Sequence, residues 1–204
     1  MSQKKNFLHN LLNSPAVYKI VQKLMLGTKF RKSIIKKNIK KNNINVLDIG
    51  CGPAEIINCL PNCNYYGYDT DKRSIDYAKN KYSEKNYHFY CRKFSKAELK
   101  KLPKFDFVIL FGIMHHLSDS EVNSIINIFK KKMKKKSILL TEDPILVKNQ
   151  NFFAKFLIIN DRGNNVREKK QYLNILKRHF SNLKVKISHQ TFPPYTWFTT
   201  ICVK

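Results

Sequence analysis

Two stretches of the chain place acidic and small residues directly after apolar runs, a pattern typical of ligand-binding turns. In the first, Asp48, Gly50 and Gly52 follow a run of aliphatic residues. Such glycines permit close approach of a ligand to the backbone, and the amides of the next helix start suit an anionic group. The second stretch ends in Asp69, 19 residues after Gly50. At this separation a strand-end carboxylate can accept both hydroxyls of a ribose, so the two stretches predict a nucleoside-binding site.

Glu55 argues against a dinucleotide at this turn. A dinucleotide-binding turn carries a third glycine at this position, where the helix packs closely and the pyrophosphate binds. Here the position holds a bulky acidic residue that would repel a pyrophosphate, so NAD is not expected. Asp71 is more simply explained as the N-cap of the following helix.

Two adjacent histidines, His115 and His116, follow the strongly apolar run that ends near Phe111. A histidine at the mouth of a ligand crevice can act as a general base near neutral pH. Both residues are candidates, with His116 slightly favoured. Capping or packing in an apolar setting is the alternative for either one. Since the flanking sequence offers no acidic or cysteine ligands, no metal ion is expected.

Further candidates lie in the C-terminal third of the chain. Glu142 and Asp143 follow the next apolar run, where Asp143 either positions a substrate or belongs to a structural loop. Asp161 and Arg162 either close a lid by an ion pair or hold an anionic substrate, and a structural turn is the alternative. Tyr195 either contacts a substrate or packs within a hairpin.

The elements that must position these residues alternate between strand and helix from residue 44 onward. Strands are predicted at 44–49, 65–68, 87–90, 105–111, 137–141, 183–188 and 196–203. Helices are predicted at 54–60, 72–81, 96–102, 118–135, 152–159 and 166–180. This pattern predicts an α/β fold with a doubly wound, mostly parallel seven-stranded sheet and an antiparallel C-terminal hairpin. Residues 5–40 read as an N-terminal helical segment that packs on the domain, covers the ligand or lies on a membrane surface.

The motifs D-I-G-C-G-P, Y-G-Y-D and F-D-F-V-I-L-F-G-I-M-H-H-L together resemble those of class I S-adenosylmethionine-dependent methyltransferases, over residues 44–143. The resemblance implies S-adenosyl-L-methionine as cofactor and S-adenosyl-L-homocysteine as product. It implies that the cofactor-binding residues are Asp48, Gly50, Cys51, Gly52, Asp69, Thr70, Phe111 and Gly112. The superfamily often places an acid near the adenine amine after strand three. Here the candidates are Cys91, Arg92 and Lys93, so this contact is absent or made by the backbone.

The resemblance implies a methyltransferase, and we expect O-methylation of a small molecule or of a glycan or lipid-linked precursor. Residues 160–167 and 193–197 resemble, more weakly, a bacterial subgroup often associated with glycan or natural-product methylation. The Asn/Asp-Pro-Pro-Tyr motif that indicates amino methylation of bases or glutamine does not follow strand four. An RNA methyltransferase and a non-catalytic protein with the cofactor-binding fold stay open as alternatives.

Composition sets the outer limits of these interpretations. With 204 residues, one domain is expected: residues 1–43 as an extension, 44–143 as the cofactor-binding core and 144–204 as the acceptor side. No apolar run is long enough to span a membrane, and five cysteines without a C-x-x-C pair favour reduced thiols in the cytoplasm. A net charge of +25 would attract an anionic partner such as RNA or a membrane surface. A lysine- and asparagine-rich composition is the alternative explanation.

Overall fold

One mixed sheet carries most of the apolar residues into the interior. The computed structural model describes residues 28–39, 41–161 and 163–204, so the expectations for residues 5–27 and for Arg162 lie outside the described residues. The strands are β1 (Ile44–Ile49), β2 (Cys63–Asp69), β3 (Tyr87–Cys91), β4 (Phe105–Phe111), β5 (Met133–Leu146), β6 (Arg167–Glu168), β7 (Asn182–Gln190) and β8 (Tyr195–Val203).

The order of the strands is β3-β2-β1-β4-β5-β8-β7, and the two-residue β6 pairs with the end of β5. The first five strands of this order run parallel, whereas β8 is antiparallel to both β5 and β7. The order reverses between β1 and β4, which is where an open parallel sheet leaves a crevice beyond its carboxyl ends. The predicted doubly wound sheet with an antiparallel C-terminal hairpin is confirmed.

Helices cover both faces of the sheet. They are α1 (Thr28–Asn38), α2 (Lys72–Lys81), α3 (Asp119–Lys130), α4 (Phe152–Ile159) and α5 (Lys169–Lys177). Buried side chains of α1 and α2 form a hydrophobic core on one face, and those of α3 and α5 form a second core on the other. The central strands β1 and β4 therefore lose contact with water on both faces, as their nearly continuous apolar sequences require.

Two predicted helix starts are confirmed by their caps. The Asp71 side chain accepts hydrogen bonds from the backbone amides of Arg73 and Ser74 at the start of α2. Ser118 and Glu121 form a reciprocal capping box at the start of α3. These bonds satisfy amides that have no partner within the first helical turn.

The segment after the glycine turn is not the helix predicted for residues 54–60. It forms a 3₁₀ helix over Glu55–Cys59, between Ala54 in the left-handed conformation and Leu60 in an extended one. Leu60 precedes Pro61, which disfavours helical backbone at the preceding residue. The five residues between Ala54 and Leu60 are too few for an α-helix of ordinary length.

The helix predicted for residues 118–135 was too long at its C-terminal end. The helix α3 ends at Lys130, and β5 begins at Met133, which pairs with Phe105 of β4. A helix through residues 130–136 would bring together three pairs of lysines, 130/134, 131/135 and 132/136. Like charges four residues apart destabilise a helix. The helix predicted for residues 166–180 is also shorter, because Arg167 and Glu168 pair with β5 before α5 begins. Within the described ranges, none of the helices is long and apolar enough to cross a membrane.

Candidate functional site

The glycine turn after β1 is fastened to the neighbouring strand β2. The backbone amides of Gly50 and Cys51 both donate to the carbonyl oxygen of Tyr68, at 2.8 and 3.1 Å. Gly50 and Gly52 have φ of 77° and 52°, in the left-handed region that favours glycine. A Cβ at Gly50 would lie 2.8 Å from a side-chain carbon of Ile113, whereas one at Gly52 would meet nothing within 4 Å. The backbone at Gly52 therefore faces open space into which a ligand can approach.

Asp69 closes the same turn from the end of β2. One carboxylate oxygen accepts the Gly52 amide at 2.7 Å, and the other accepts the Asp71 amide at 2.9 Å. Each carboxylate oxygen can accept two hydrogen bonds, so each has one acceptor position left. The half-buried side chain is thus oriented by the backbone and able to bind two further donors.

Asp48 lies beneath the turn rather than on its surface. Its side chain is buried, and it accepts a hydrogen bond of 2.6 Å from the Tyr65 hydroxyl. Burial raises the pKa of Asp48 to about 7, although the Tyr65 hydrogen bond and the nearby charge of Arg31 act in the opposite direction. The neighbouring Cys51 thiol is also shielded from water, and its burial raises its pKa well above the usual value.

Arg31, from α1, reaches across the ends of β4 and β5. Its Nε lies 2.6 Å from a carboxylate oxygen of the buried Glu142, and its guanidinium lies 4.6 Å from the centre of the Phe111 ring. Arg31 itself is only 8% exposed. The helix α1 thus covers part of the crevice, and the sequence analysis missed this ion pair. Only six of the 39 lysines and arginines are arginines. A single arginine in a lysine-rich helix was therefore the sequence signal from which a buried ion pair could have been suspected.

The two histidines lie on a 3₁₀ helix, Met114–His116, directly after β4. Gly112 precedes it with φ of 63° and donates its amide to the Glu142 carbonyl at 2.7 Å, which ties the turn to β5. The two imidazole rings are 4.1 Å apart between centroids. They nevertheless have different surroundings, since His115 is buried and His116 is exposed.

His115 is held between two carboxylates. Its Nδ1 lies 2.8 Å from Asp143 on β5, and its Nε2 lies 3.6 Å from Asp161 in the loop after α4. Burial lowers the pKa of His115, but the hydrogen bonds and charges of Asp143 and Asp161 outweigh burial and raise it to about 9. Burial raises the pKa of Asp161, but the pairing with His115 and a hydrogen bond from the Tyr195 hydroxyl outweigh burial and lower this pKa to about 2. His115 is therefore an imidazolium at neutral pH.

His116 has the opposite electrostatic setting. Partial burial and the adjacent positive charge of His115 lower its pKa below the usual value, so the ring is neutral at pH 7. A neutral imidazole has one nitrogen that can accept a proton. Of the two candidate bases, only His116 combines exposure with this protonation state.

The loop after α4 is fastened to the histidine turn at several points. The Tyr195 hydroxyl donates to Asp161 at 2.6 Å, and the Asn165 amide donates to the His115 carbonyl at 2.9 Å. Gly163 packs so closely on the His115 ring that a Cβ would overlap it. For Asp161 and Arg162 the sequence left three alternatives, namely an ion pair that closes a lid, a contact to an anionic substrate and a structural turn. In the structure Asp161 pairs with His115, and Arg162 lies outside the described residues.

Arg167 is a second buried arginine that the sequence analysis missed. Its guanidinium donates to the carbonyls of Met114 at 2.7 Å and Leu117 at 2.6 Å, on either side of the two histidines. It also contacts the Asp119 carboxylate at 2.8 Å. A planar guanidinium can satisfy several acceptors at fixed angles, so Arg167 sets the conformation of the whole turn.

Acidic groups do lie next to the histidines, contrary to the argument made from the flanking sequence. Asp143 and Asp161 come from distant segments, and the potential ligand atoms of His115, His116 and Asp161 lie within 4.8 Å of one another. Both ring nitrogens of His115 face carboxylates, so a metal ion would have to displace the proton that they stabilise. We therefore keep a metal-free cluster as our proposal.

The remaining predicted positions also have defined surroundings. Thr70 is exposed and follows Asp69 at the mouth of the crevice. Near the end of β3, Arg92 pairs with Glu98 at 2.8 Å, and Glu98 also accepts a bond of 3.2 Å from the Tyr68 hydroxyl. Glu98 thus brings a carboxylate to the region in which the sequence analysis found only Cys91, Arg92 and Lys93.

Known proteins resemble this chain in part of its sequence and in its fold. Residues 40–191 match a family model described as a methyltransferase domain. An uncharacterised protein of Synechocystis is 29% identical over 110 residues, which are 50% of this chain and 22% of that protein. Malonyl-[acyl-carrier protein] O-methyltransferase of Acetivibrio thermocellus is 28% identical over 131 residues, which are 61% of this chain and 44% of that protein. The chain therefore spans less than half the length of either relative.

A solved structure extends the comparison to nearly the whole chain. The magnesium protoporphyrin IX methyltransferase of Synechocystis, with bound S-adenosylhomocysteine, superposes with a TM-score of 0.68 at 15% identity. The superposition covers 98% of this chain and 99% of that one. At this identity the likeness establishes a common fold.

Proposed function

Because the chain belongs to the methyltransferase-domain family, we propose that it transfers the methyl group of S-adenosylmethionine to an acceptor and leaves S-adenosylhomocysteine. The observation that carries the proposal is the turn in which Asp69 accepts the Gly52 amide at 2.7 Å. It presents a backbone open to a ligand and a carboxylate with two acceptor positions left, which is what the ribose of this cofactor requires.

The residues present at the crevice fit the cofactor. In this proposal Asp69 and Thr70 hold the ribose, and Gly50, Cys51 and Gly52 supply the backbone that faces the methionine end. Asp48 supports that backbone from below, since its side chain is buried. Phe111, at the end of β4, and Gly112, directly after it, are the cofactor contacts that we propose from the next strand. We propose residues 44–143 as the part of the chain that binds the donor.

When bound, S-adenosylmethionine supplies a methyl group already activated by the sulfonium charge. The tasks left to the chain are to align the acceptor and to remove its proton. Positioning of this kind contributes on the order of 7–11 kcal/mol to lowering a barrier. We assign proton removal to His116, whose exposed ring is neutral at pH 7. The role of His115 is to hold the turn as an imidazolium between Asp143 and Asp161.

The acceptor side is formed by residues 144–204 together with Asp143. Oδ2 of Asp143 is buried and has no hydrogen-bond partner among the described residues, so in this proposal Asp143 positions the acceptor through His115. Tyr195 acts on this side through its bond to Asp161, and Arg162 stays a proposed acceptor contact. The Acetivibrio relative is an O-methyltransferase, which supports an oxygen atom as the methylated position.

The acceptor class that we propose is a small molecule or a glycan or lipid-linked precursor. RNA is the second candidate, favoured by the net charge of +25. None of the five cysteines, all of which lie in the described residues, forms a disulfide, and this supports our proposal of a cytoplasmic location.

The proposal is tested by incubating the intact protein and methyl-labelled S-adenosylmethionine with fractions of cell extract. We expect label in a small-molecule or lipid fraction and none with the His116→Ala variant. Label confined to RNA would move the acceptor to the second candidate. If a folded protein that binds S-adenosylhomocysteine labels none of the fractions, transfer to cellular acceptors is refuted.

A further inference from the structure

An exposed apolar surface borders the acceptor side of the site. Three large side chains of α4 are exposed: Phe152 by 74%, Phe153 by 58% and Ile159 by 61%. Phe192, in the turn between β7 and β8, is 78% exposed. We call these four residues the aromatic patch. Highly exposed phenylalanines are uncommon on the surface of a domain, and the Phe152 and Phe153 rings are 5.7 Å apart between centroids, which indicates an interaction site.

The patch lies on two segments that meet beside the histidines. The helix α4 packs against β8, and Asp161, two residues after the end of α4, accepts the hydroxyl of Tyr195 at the start of β8. Asp161 also faces His115 at 3.6 Å. Whatever binds the patch is therefore brought to the edge of the proposed acceptor site.

The sequence of α4 departs from that of an ordinary surface helix. Seven of its eight residues, FFAKFLII, are apolar, yet only Ala154 and Ile158 are buried. A helix that packs on a domain normally turns polar residues outward, as α2 does here. The outward face of α4 is instead made of phenylalanine and isoleucine with a single lysine, Lys155.

The charged side chains on the segment that carries α4 have one sign. Residues 144–160 contain Lys148 and Lys155 and no carboxylate side chain. Asp161 follows this segment, and its carboxylate is paired with His115 and accepts the Tyr195 hydroxyl. The exposed charges on the segment of the phenylalanines are therefore those of Lys148 and Lys155.

We propose that the aromatic patch docks the protein on an anionic phospholipid bilayer, with the phenylalanines entering the headgroup boundary and the exposed Lys148 and Lys155 pairing with lipid phosphates. Apolar side chains beside lysines are the combination that binds such a surface. An RNA partner would use aromatic rings as stacking platforms. Ile159 has no ring, and the rings of Phe152 and Phe153 lie edge to face at 77°, so the patch fits lipid better. The inference rests on the proposed function in one respect: the acceptor would be carried by the membrane.

The test is flotation of the intact protein with vesicles of phosphatidylcholine alone or mixed with phosphatidylglycerol. We expect binding to the anionic vesicles only, weakened by salt because exposed charges are screened. The double variant Phe152→Ser with Phe153→Ser should lower the vesicle-bound to free ratio by about ten-fold or more. Both side chains are exposed, so the hydrophobic core is not altered. Tyr77→Ser, which removes a 49% exposed aromatic on α2, is the matched control and should bind as the wild type does.

Four results would overturn the inference. They are no binding to anionic vesicles, equal binding to neutral ones, undiminished binding of the double variant, and a change in oligomeric mass of that variant in light scattering. The last result would identify the patch as a contact between copies of the chain. Binding to single-stranded RNA that the double variant loses, without vesicle binding, would assign the patch to nucleic acid instead. Titration of the same samples with S-adenosylhomocysteine tests the proposed function separately, since the patch is not part of the donor site.

Discussion

His115 and His116 are neighbours in the chain, yet their surroundings give them opposite protonation states. Asp143 and Asp161 hold His115 as an imidazolium, and its positive charge in turn keeps His116 neutral. The pair therefore divides two tasks that a single histidine could not perform together. One ring fixes the turn and the other remains available to accept a proton.

The pairing of His115 predicts a pH-dependent stability. The folded pKa of about 9 lies above the usual 6.5, so the stabilisation is complete below pH 6.5 and is lost as pH rises through 9. The loss is on the order of 3 kcal/mol, since each pKa unit corresponds to about 1.4 kcal/mol. Urea unfolding at pH 7 and pH 9 measures it. The pKa of Asp48 is also raised, to about 7, and it affects stability at lower pH. The folded protein becomes less stable as pH rises from 3.8 to 7, because it retains a proton that the unfolded chain releases.

His115→Gln is the variant that isolates this effect. Without the imidazolium, the decline in unfolding free energy between pH 7 and pH 9 should be much smaller than in the wild type. His189→Gln, at an exposed histidine on β7, is the control and should keep the decline. An equal decline in the His115 variant would show that other groups cause it.

The assignment of His116 predicts a kinetic effect. Removal of a general base typically costs a factor of about 10² to 10⁴ in rate, so His116→Ala should lower kcat within this range. Its affinity for S-adenosylhomocysteine should not change. The wild-type rate should fall as pH drops below the lowered pKa of His116, because the protonated ring cannot accept a proton. A normal kcat in the variant would remove His116 from the reaction.

At the scale of elements, two buried arginines fasten irregular segments to the sheet. Arg31 joins α1 to Glu142 of β5, and Arg167 joins β6 to the histidine turn. Arg31 donates to a buried carboxylate, and Arg167 donates to two backbone carbonyls and to the exposed carboxylate of Asp119. The site is thus shaped by contacts between segments far apart in the chain.

Removing one partner of the Arg31–Glu142 pair should be strongly destabilising. Arg31→Met would leave a buried carboxylate without its counter-charge, which typically costs about 3–5 kcal/mol of unfolding free energy. The double variant Arg31→Met with Glu142→Gln should recover most of the loss, because no buried charge is then unpaired. Denaturant unfolding of the wild type, the two single variants and the double variant measures this coupling. Additive losses in the double variant would contradict the pairing.

The strands and the doubly wound sheet could be predicted from the sequence, because both depend on local patterns, whereas the donor side of the site stays a prediction. Apolar runs gave the strands, and Gly50, Gly52 and Asp69 stand at fixed distances after them. The extents of the helices predicted at 54–60 and 118–135 were predicted less well. Pro61 limits the first segment, and repulsion between lysines four residues apart limits the second. The partners of His115 could not be predicted at all. Asp161 is 46 residues away, and only the packing of α4 against β8 brings it to the turn.

At the scale of the whole molecule, the distribution of charge separates two regions. The donor side holds buried or bonded carboxylates at Asp48, Asp69 and Glu142, whereas the last 36 residues, 169–204, carry no carboxylate side chain. This asymmetry would orient the molecule on an anionic surface, with the acceptor side facing it. If the proposed membrane docking holds, the net charge of +25 contributes to it.

The central claim is that the turn at Gly50–Gly52 and Asp69 binds the nucleoside end of S-adenosylmethionine. Calorimetric titration of the intact protein with S-adenosylhomocysteine tests it most directly. We predict one site per chain, weakened about ten-fold or more by Asp69→Asn, because hydrogen bonds to a charged group contribute about 1.5–3 kcal/mol. Asp76→Asn, at an exposed carboxylate paired with Lys72, should leave the affinity unchanged. No binding by the folded protein, or equal affinity of the Asp69 and Asp76 variants, would contradict the account.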